Sequence, residues 1–139
     1  MFEGLIGFIE ETVFGLVNKI TVEQKGGLAQ IEAILSMLLG FAKKNPGMTR
    51  VLIGDALVNE NERLQLRINQ LHDRLEATLK QCLRFSVGEK EVPEHIDAAA
   101  HANLLLCYVM GRWQQYAKSG FKRDPTEFWA EQWKQLVPA

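Results

Sequence analysis

The side chains of this chain with the reactivity for metal binding or acid–base work are three histidines, two cysteines and several neighbouring carboxylates. His72, His95 and His101 lack the His-x3-His spacing that puts two imidazoles on adjacent helical turns around a metal. His95 and His101 fall on different faces of one predicted helix. All three read as surface or half-buried rings. Glu10-Glu11 and the Glu60/Glu62 pair are close in sequence, but near neighbours on a helix do not face each other, so they read as solvated faces and not as an acid–base couple. Gly26-Gly27 has no Lys-Ser/Thr after it and no strand before it, so it is no phosphate loop. Ser36, Ser86 and Ser119 lack the sharp strand-to-helix turn that exposes a nucleophile. Cys82 and Cys107 belong to no CxxC pair and read as reduced, mostly buried thiols. These residues support no catalytic site, no metal, no cofactor and no enzyme.

Every element that would position these residues is helical. Residues 3–20 place Leu5, Ile9, Val13, Leu16 and Ile20 on one stripe. Thr21 with Gln24 has the spacing of a capping box for the next segment. Residues 28–44 are apolar almost all round, through Leu28, Ile31, Ile34, Leu35, Met37, Leu38, Leu39 and Phe41, as a helix packed on several sides requires. Asn45-Pro46-Gly47 stops that helix, because Pro46 disfavours helix at Asn45 and has no N–H. Pro46 then opens a shorter helix over 46–59. Residues 63–85 form a long amphipathic helix with Leu64, Ile68, Leu71, Leu75, Leu79 and Cys82 inward and Arg67, Asp73, Arg74, Glu76 and Lys80 mostly off the stripe. A polar linker at 86–92 contains Gly88. Pro93 starts a helix to about 118, whose apolar face includes Ile96, Leu104, Cys107, Met110 and Tyr116. Ser119-Gly120 ends it. Asp124 as N-cap and Pro125 at the first helical position open the last helix, which carries Phe128, Trp129, Gln132, Trp133 and Leu136. No segment alternates with period two. The expected fold is an all-α bundle of about six helices.

The 139 residues suit one domain with a real core, and 47% are hydrophobic. A net charge of −1 lacks the basic excess of a free-standing nucleic-acid binder. No apolar run spans a bilayer. The first residues carry acids in place of a signal peptide's basic start, so the expected location is the cytoplasm, with no membrane partner.

Aromatic residues crowd the C-terminal third: Trp113, Tyr116, Phe121, Phe128, Trp129 and Trp133. They can be core or the centre of a dimer seam, since aromatics dominate both. The alanines over 98–102 allow a partner helix to approach closely. Two helices per subunit would build a four-helix bundle about a two-fold axis.

A more specific signal lies in Leu38-Leu39-Gly40-Phe41, Asn45-Pro46-Gly47-Met48-Thr49-Arg50-Val51-Leu52, Gly54, Ala56-Leu57, Glu62-Arg63-Leu64 and Arg67-Ile68-Asn69-Gln70-Leu71. Met1-Phe2-Glu3-Gly4-Leu5-Ile6 and Phe8-Ile9-Glu10-Glu11 join it at the start, and Ser119, Phe121-Lys122 and Pro125-Thr126 near the end. In these runs the chain resembles the C-terminal domain of the TetR family of bacterial transcription regulators, in its nucleoid-occlusion branch.

That resemblance implies a C-terminal regulatory domain over 1–139 that dimerises through its last two long helices. The dimer interface would involve Leu104, Tyr108, Gly111, Trp113, Phe128, Trp129 and Trp133. DNA would be held only through an N-terminal helix-turn-helix domain that this chain is expected to lack, and the full-length protein would sit at the nucleoid. The resemblance further implies that the C-terminal tail of the division protein FtsZ docks between the first and central helices, at Phe8, Met37, Gly40, Lys44 and Asn45. Phe8 and Met37 would supply apolar anchors, Gly40 close backbone approach, Lys44 a cation for an acidic peptide, and Asn45 an amide. Met37 and Gly40 can equally be packing residues. The chain departs from the family pattern at Gly7, Gly15 and Asp55, and at Leu16, where the family carries a basic residue. The alternative function is that of a ligand-sensing domain of a TetR-type repressor, with a small apolar effector held between the helices.

Overall fold

The computed structural model describes residues 2–57 and 62–138. It consists of six α-helices: α1 (Phe2–Glu23), α2 (Gly27–Lys44), α3 (Pro46–Leu52), α4 (Glu62–Gly88), α5 (Ala98–Lys118) and α6 (Trp129–Leu136). A single 3-10 turn, Asp55–Leu57, follows α3. The described residues contain no strand. Met1, Glu60 and the expected end of the third helix at 58–59 lie outside them.

The apolar surround of α2 has the expected result, since α2 touches α1, α3, α4 and α5. Ile31, Ile34, Leu35, Leu38 and Leu39 are buried, and each such side chain contributes roughly 1.5–3 kcal/mol on leaving water. The Asn45-Pro46 stop holds as well. Asn45 ends α2 and precedes α3, with Pro46 in the first turn. Thr49 then ties the two helices together, its buried hydroxyl donating to the Ala42 carbonyl at 3.1 Å. The inward stripe of α4 is buried at all six expected positions, from Leu64 to Cys82.

Helix boundaries differ wherever a distant side chain or a local turn overrides the local signal. Thr21 does not cap α2. It lies inside α1 and its hydroxyl donates to the Asn18 carbonyl at 3.0 Å. The N-cap of α2 is Gly26, without a side-chain cap, and the Glu91 carboxylate instead accepts from Leu28 N–H at 3.2 Å. Residues 86–88 are helix, not linker. Ser86 is fully buried, and its hydroxyl donates to the Cys82 carbonyl at 2.9 Å, so it is satisfied within α4. Pro93 does not start α5; Asp97 is the N-cap and accepts from Ala100 N–H at 3.1 Å. Asp124 does not cap α6. It accepts from Thr126 N–H and Thr126 Oγ1 in a tight turn, and α6 begins only after Phe128, which sits at φ 67°.

Two faces are also rotated from expectation. On α1 the buried residues are Ile6, Ile9, Val13, Phe14 and Val17, and Leu16 faces outward at 37% exposure. On α5 the core face is Ala102, Leu105, Leu106, Val109, Trp113 and Tyr116. Leu104 and Cys107 lie outside it, and Cys107 is exposed instead of buried.

The segment between α5 and α6 is held mainly by two side chains, Arg112 and Lys43. Arg112, itself buried, donates to the carbonyls of Asp124 (3.0 Å), Pro125 (3.4 Å) and Glu127 (3.0 Å) and to the Gln115 side chain (3.1 Å). Lys43 at the end of α2 pairs with Asp124 at 2.8 Å. That hydrogen bond and those from Thr126 hold the Asp124 carboxyl at a pKa of about 2.

Candidate functional site

Spacing on α2 decides which residues form a site. Met37, Gly40 and Lys44 recur at three and four residues, so they share one outer face of the helix, with only Met37 packed partly against the core. Leu16 stands opposite, on the second half of α1. Between them is a surface pocket of about 330 Å³, walled by Leu16, Met37, Gly40, Phe41, Lys44 and Asn45. Four of the five expected groove residues therefore converge. Phe8, the fifth, is half exposed on α1 two turns earlier and is not part of the pocket wall.

The pocket is apolar at one end and polar at the other. Met37 packs partly against the core. Gly40 has open space at its side-chain position, with no atom within 4 Å of where a Cβ would lie. The fold therefore does not require glycine here, although glycine in mid-helix destabilises by about 1 kcal/mol relative to alanine. Lys44 is exposed and has no ion pair among the described residues, unlike its neighbour Lys43. The Asn45 side chain donates to the Phe41 carbonyl at 2.8 Å, which fixes its orientation at the pocket edge.

Sequence reasoning missed Ser36 and Phe41 as wall residues, and it named Leu16 beside the groove only as a departure from the family's basic residue. Leu16 was assigned to the inward stripe of the first helix, because a stripe through residues 9, 13, 16 and 20 and one through 6, 9, 13 and 17 both satisfy helical spacing. Only the position of α2 selects between them.

The expected interface residues fall into two groups. Leu104, Tyr108 and Gly111 line up on the outer face of α5, with Leu104 at 51% exposure. Phe128 is equally exposed, and Trp129 and Trp133 are half-buried, with ring centroids 5.7 Å apart. The Tyr108 hydroxyl donates to the Gln132 side chain at 2.6 Å and so joins α5 to α6. Trp113 is the exception. It has no accessible surface, so it is a core residue and presents nothing to a partner.

Two of the three histidines are tied to the backbone. His72 and His101 each place Nε2 at 2.7 Å from a backbone carbonyl, of Leu52 and Leu136 respectively. Among the described residues no group of three His, Cys, Asp or Glu side chains could hold a metal ion. No helix there is long and apolar enough to cross a membrane.

Comparison with known proteins places the chain in a family. Residues 25–138 match the SlmA-like family described as tetracyclin repressor-like, C-terminal domain. The chain is 50% identical over 133 residues to the nucleoid occlusion factor SlmA of Alteromonas mediterranea, covering 96% of this chain and 68% of that protein. It is 46% identical over 143 residues to SlmA of Idiomarina loihiensis, covering 100% of this chain and 73% of that protein. SlmA of Marinomonas sp. is 45% identical over 137 residues, covering 99% of this chain and 70% of that protein.

Proposed function

The chain belongs to the SlmA-like family of tetracyclin repressor-like C-terminal domains, and from that membership we propose that it is the regulatory, dimer-forming part of a nucleoid-occlusion factor that binds the C-terminal tail of FtsZ. The observation that carries this reading is the convergence of Met37, Gly40, Lys44 and Asn45 with Leu16 in one pocket between α1 and α2. An extended or helical peptide would rest apolar side chains on Leu16 and Met37, pass its backbone over Gly40, and set a carboxylate near Lys44. Phe8 would extend the apolar track along α1. Because Leu16 stands where the family has a basic residue, Lys44 is the one cation on the wall among the described residues. The affinity should therefore depend on Lys44 and on salt.

Titration of an FtsZ tail peptide into the chain, followed by fluorescence anisotropy, tests this. Saturable binding that weakens at least tenfold in both Phe8→Ala and Lys44→Glu supports it. No binding by the unaltered chain, or no loss in either variant, sinks it.

The proposed dimer uses the outer face of α5, Leu104, Tyr108 and Gly111, with Phe128, Trp129 and Trp133 around α6. Exposed apolar side chains at the first and last of these elements are what a two-helix-per-subunit seam requires. Leu104→Glu should yield monomers in sedimentation, and a variant that still sediments as a dimer would exclude this face. The ligand-sensing reading finds less support. Among the described residues no buried side-chain nitrogen or oxygen lacks a hydrogen-bond partner, so the core holds no polar group waiting for an effector.

A further inference from the structure

A second cleft, of about 310 Å³, lies on the other flank of α1, where Phe14, Asn18, Arg74, Thr78, Gln81 and Cys82 meet. Its chemistry differs from that of the peptide pocket. The wall contains a guanidinium, amides and hydroxyls, and no carboxylate. The Arg74 guanidinium carbon sits 3.8 Å from the centroid of the Phe14 ring. That ring strips water from one face of the cation and holds the fork in place.

Arg74 differs from four other arginines of the fold, and shares its lack of a carboxylate with Arg84 and Arg112 among the described residues. Arg50, Arg63, Arg67 and Arg123 each have a carboxylate partner. Arg74 has none among the described residues, so its N–H donors are open to a ligand. Some of the wall is already committed: Thr78 donates to the Arg74 carbonyl, and the Gln30 amide donates to the carbonyls of Thr21 and Gln24. The side-chain amides of Asn18 and Gln81 have no internal partner among the described residues and remain as donors beside the fork. The floor is neutral, since burial pushes the Cys82 thiol up to about 11.

We propose that this cleft is a binding site for a small organic anion, its carboxylate or phosphate gripped by the Arg74 fork and flanked by the Asn18 and Gln81 amides. A planar fork that takes two anionic oxygens at once matches either group. The volume, about 310 Å³, is at the low end of the roughly 300–1,000 Å³ typical of ligand pockets, which fits a small acid.

The test is an NMR titration of the 15N-labelled chain with succinate, with inorganic phosphate, and with glycerol as a neutral control, at fixed ionic strength. One or both anions should move the Asn18 and Gln81 side-chain amides along saturating curves, and glycerol should not. Arg74→Gln should abolish saturation, and Arg74→Lys should weaken binding at least fivefold by losing the two-oxygen grip. Asn18→Ala keeps the Phe14–Arg74 stack and should weaken binding severalfold, so it carries the test if Arg74→Gln does not fold. Lys44→Glu should leave these titrations unchanged, which separates this cleft from the peptide pocket. Which anion saturates distinguishes a carboxylate from a phosphate ligand. Linear shifts with both anions, the same curves in Arg74→Gln or Asn18→Ala, or saturation only by an acidic peptide would overturn the proposal.

Discussion

The indole N–H of Trp113 donates to the Leu38 carbonyl at 3.0 Å, so the bulkiest fully buried side chain latches α5 to the middle of α2. Leu38 lies one residue after Met37 and two before Gly40. The inner face of α2 therefore holds the core while the outer face lines the proposed peptide pocket.

Trp113→Phe keeps most of the apolar volume and loses that hydrogen bond. The expected loss of stability is about 1–3 kcal/mol, from the lost bond and the gap left by the smaller ring. Urea unfolding should show a lower midpoint with an unchanged slope.

Two glycines of α2 should respond in opposite ways. A Cβ at Gly27 would lie 2.2 Å from Ser86 Oγ and 2.5 Å from the Cys82 carbonyl oxygen, inside the backbone of α4. Gly27→Ala should destabilise by about 1–3 kcal/mol as α2 and α4 are forced apart. At Gly40 there is room, so Gly40→Ala should stabilise by up to about 1 kcal/mol through helix propensity. The same variant should weaken binding of the FtsZ tail, because its methyl group would fill the pocket floor. Thermal melts paired with peptide titrations check both expectations.

Mild acid should destabilise the fold through His72. Burial lowers its pKa, outweighing the hydrogen bond to Leu52 and the nearby Asp73. The unfolded chain therefore takes up a proton first as the pH falls through the ordinary imidazole value of about 6.5. Stability is full above that value and declines below it. Denaturant midpoints at pH 7.5 and 5.5 should differ more for the unaltered chain than for His72→Gln. Asp124, with its pKa of about 2, contributes a separate loss only at far lower pH.

The two thiols should label at very different rates. Cys107 is exposed, whereas Cys82 is buried and its thiol is pushed up to about 11. A thiol reagent at pH 8 should modify Cys107 promptly and Cys82 only on unfolding, because the reactive species is the accessible thiolate. Prompt modification of both would mean that the α1–α4 contact opens readily.

What the sequence made legible depended on whether its signals were local. The α4 stripe and the Asn45-Pro46 stop were readable because apolar spacing and proline chemistry act within a few residues. The cap of α2 was not, because its Leu28 N–H is served by Glu91, far away in the chain, and not by Thr21. Nor was the start of α6, where the Asp124 turn consumed the side chain that was expected to cap the helix. The pocket was readable only in part. Family-like motifs pointed to Met37, Gly40, Lys44 and Asn45, but Leu16 became visible as a wall only once α1 and α2 were set side by side.

Arg112 leaves the loop before α6 with little independence. Three carbonyls between Asp124 and Glu127 share that one guanidinium, so the segment has few ways to loosen by degrees. It should behave as a single opening unit in hydrogen exchange, with the amides of Thr126, Glu127 and Trp129 becoming labile together. Within this bundle, the Arg112 guanidinium gathers the turn before α6 into one unit, with the Lys43–Asp124 pair as a second tie.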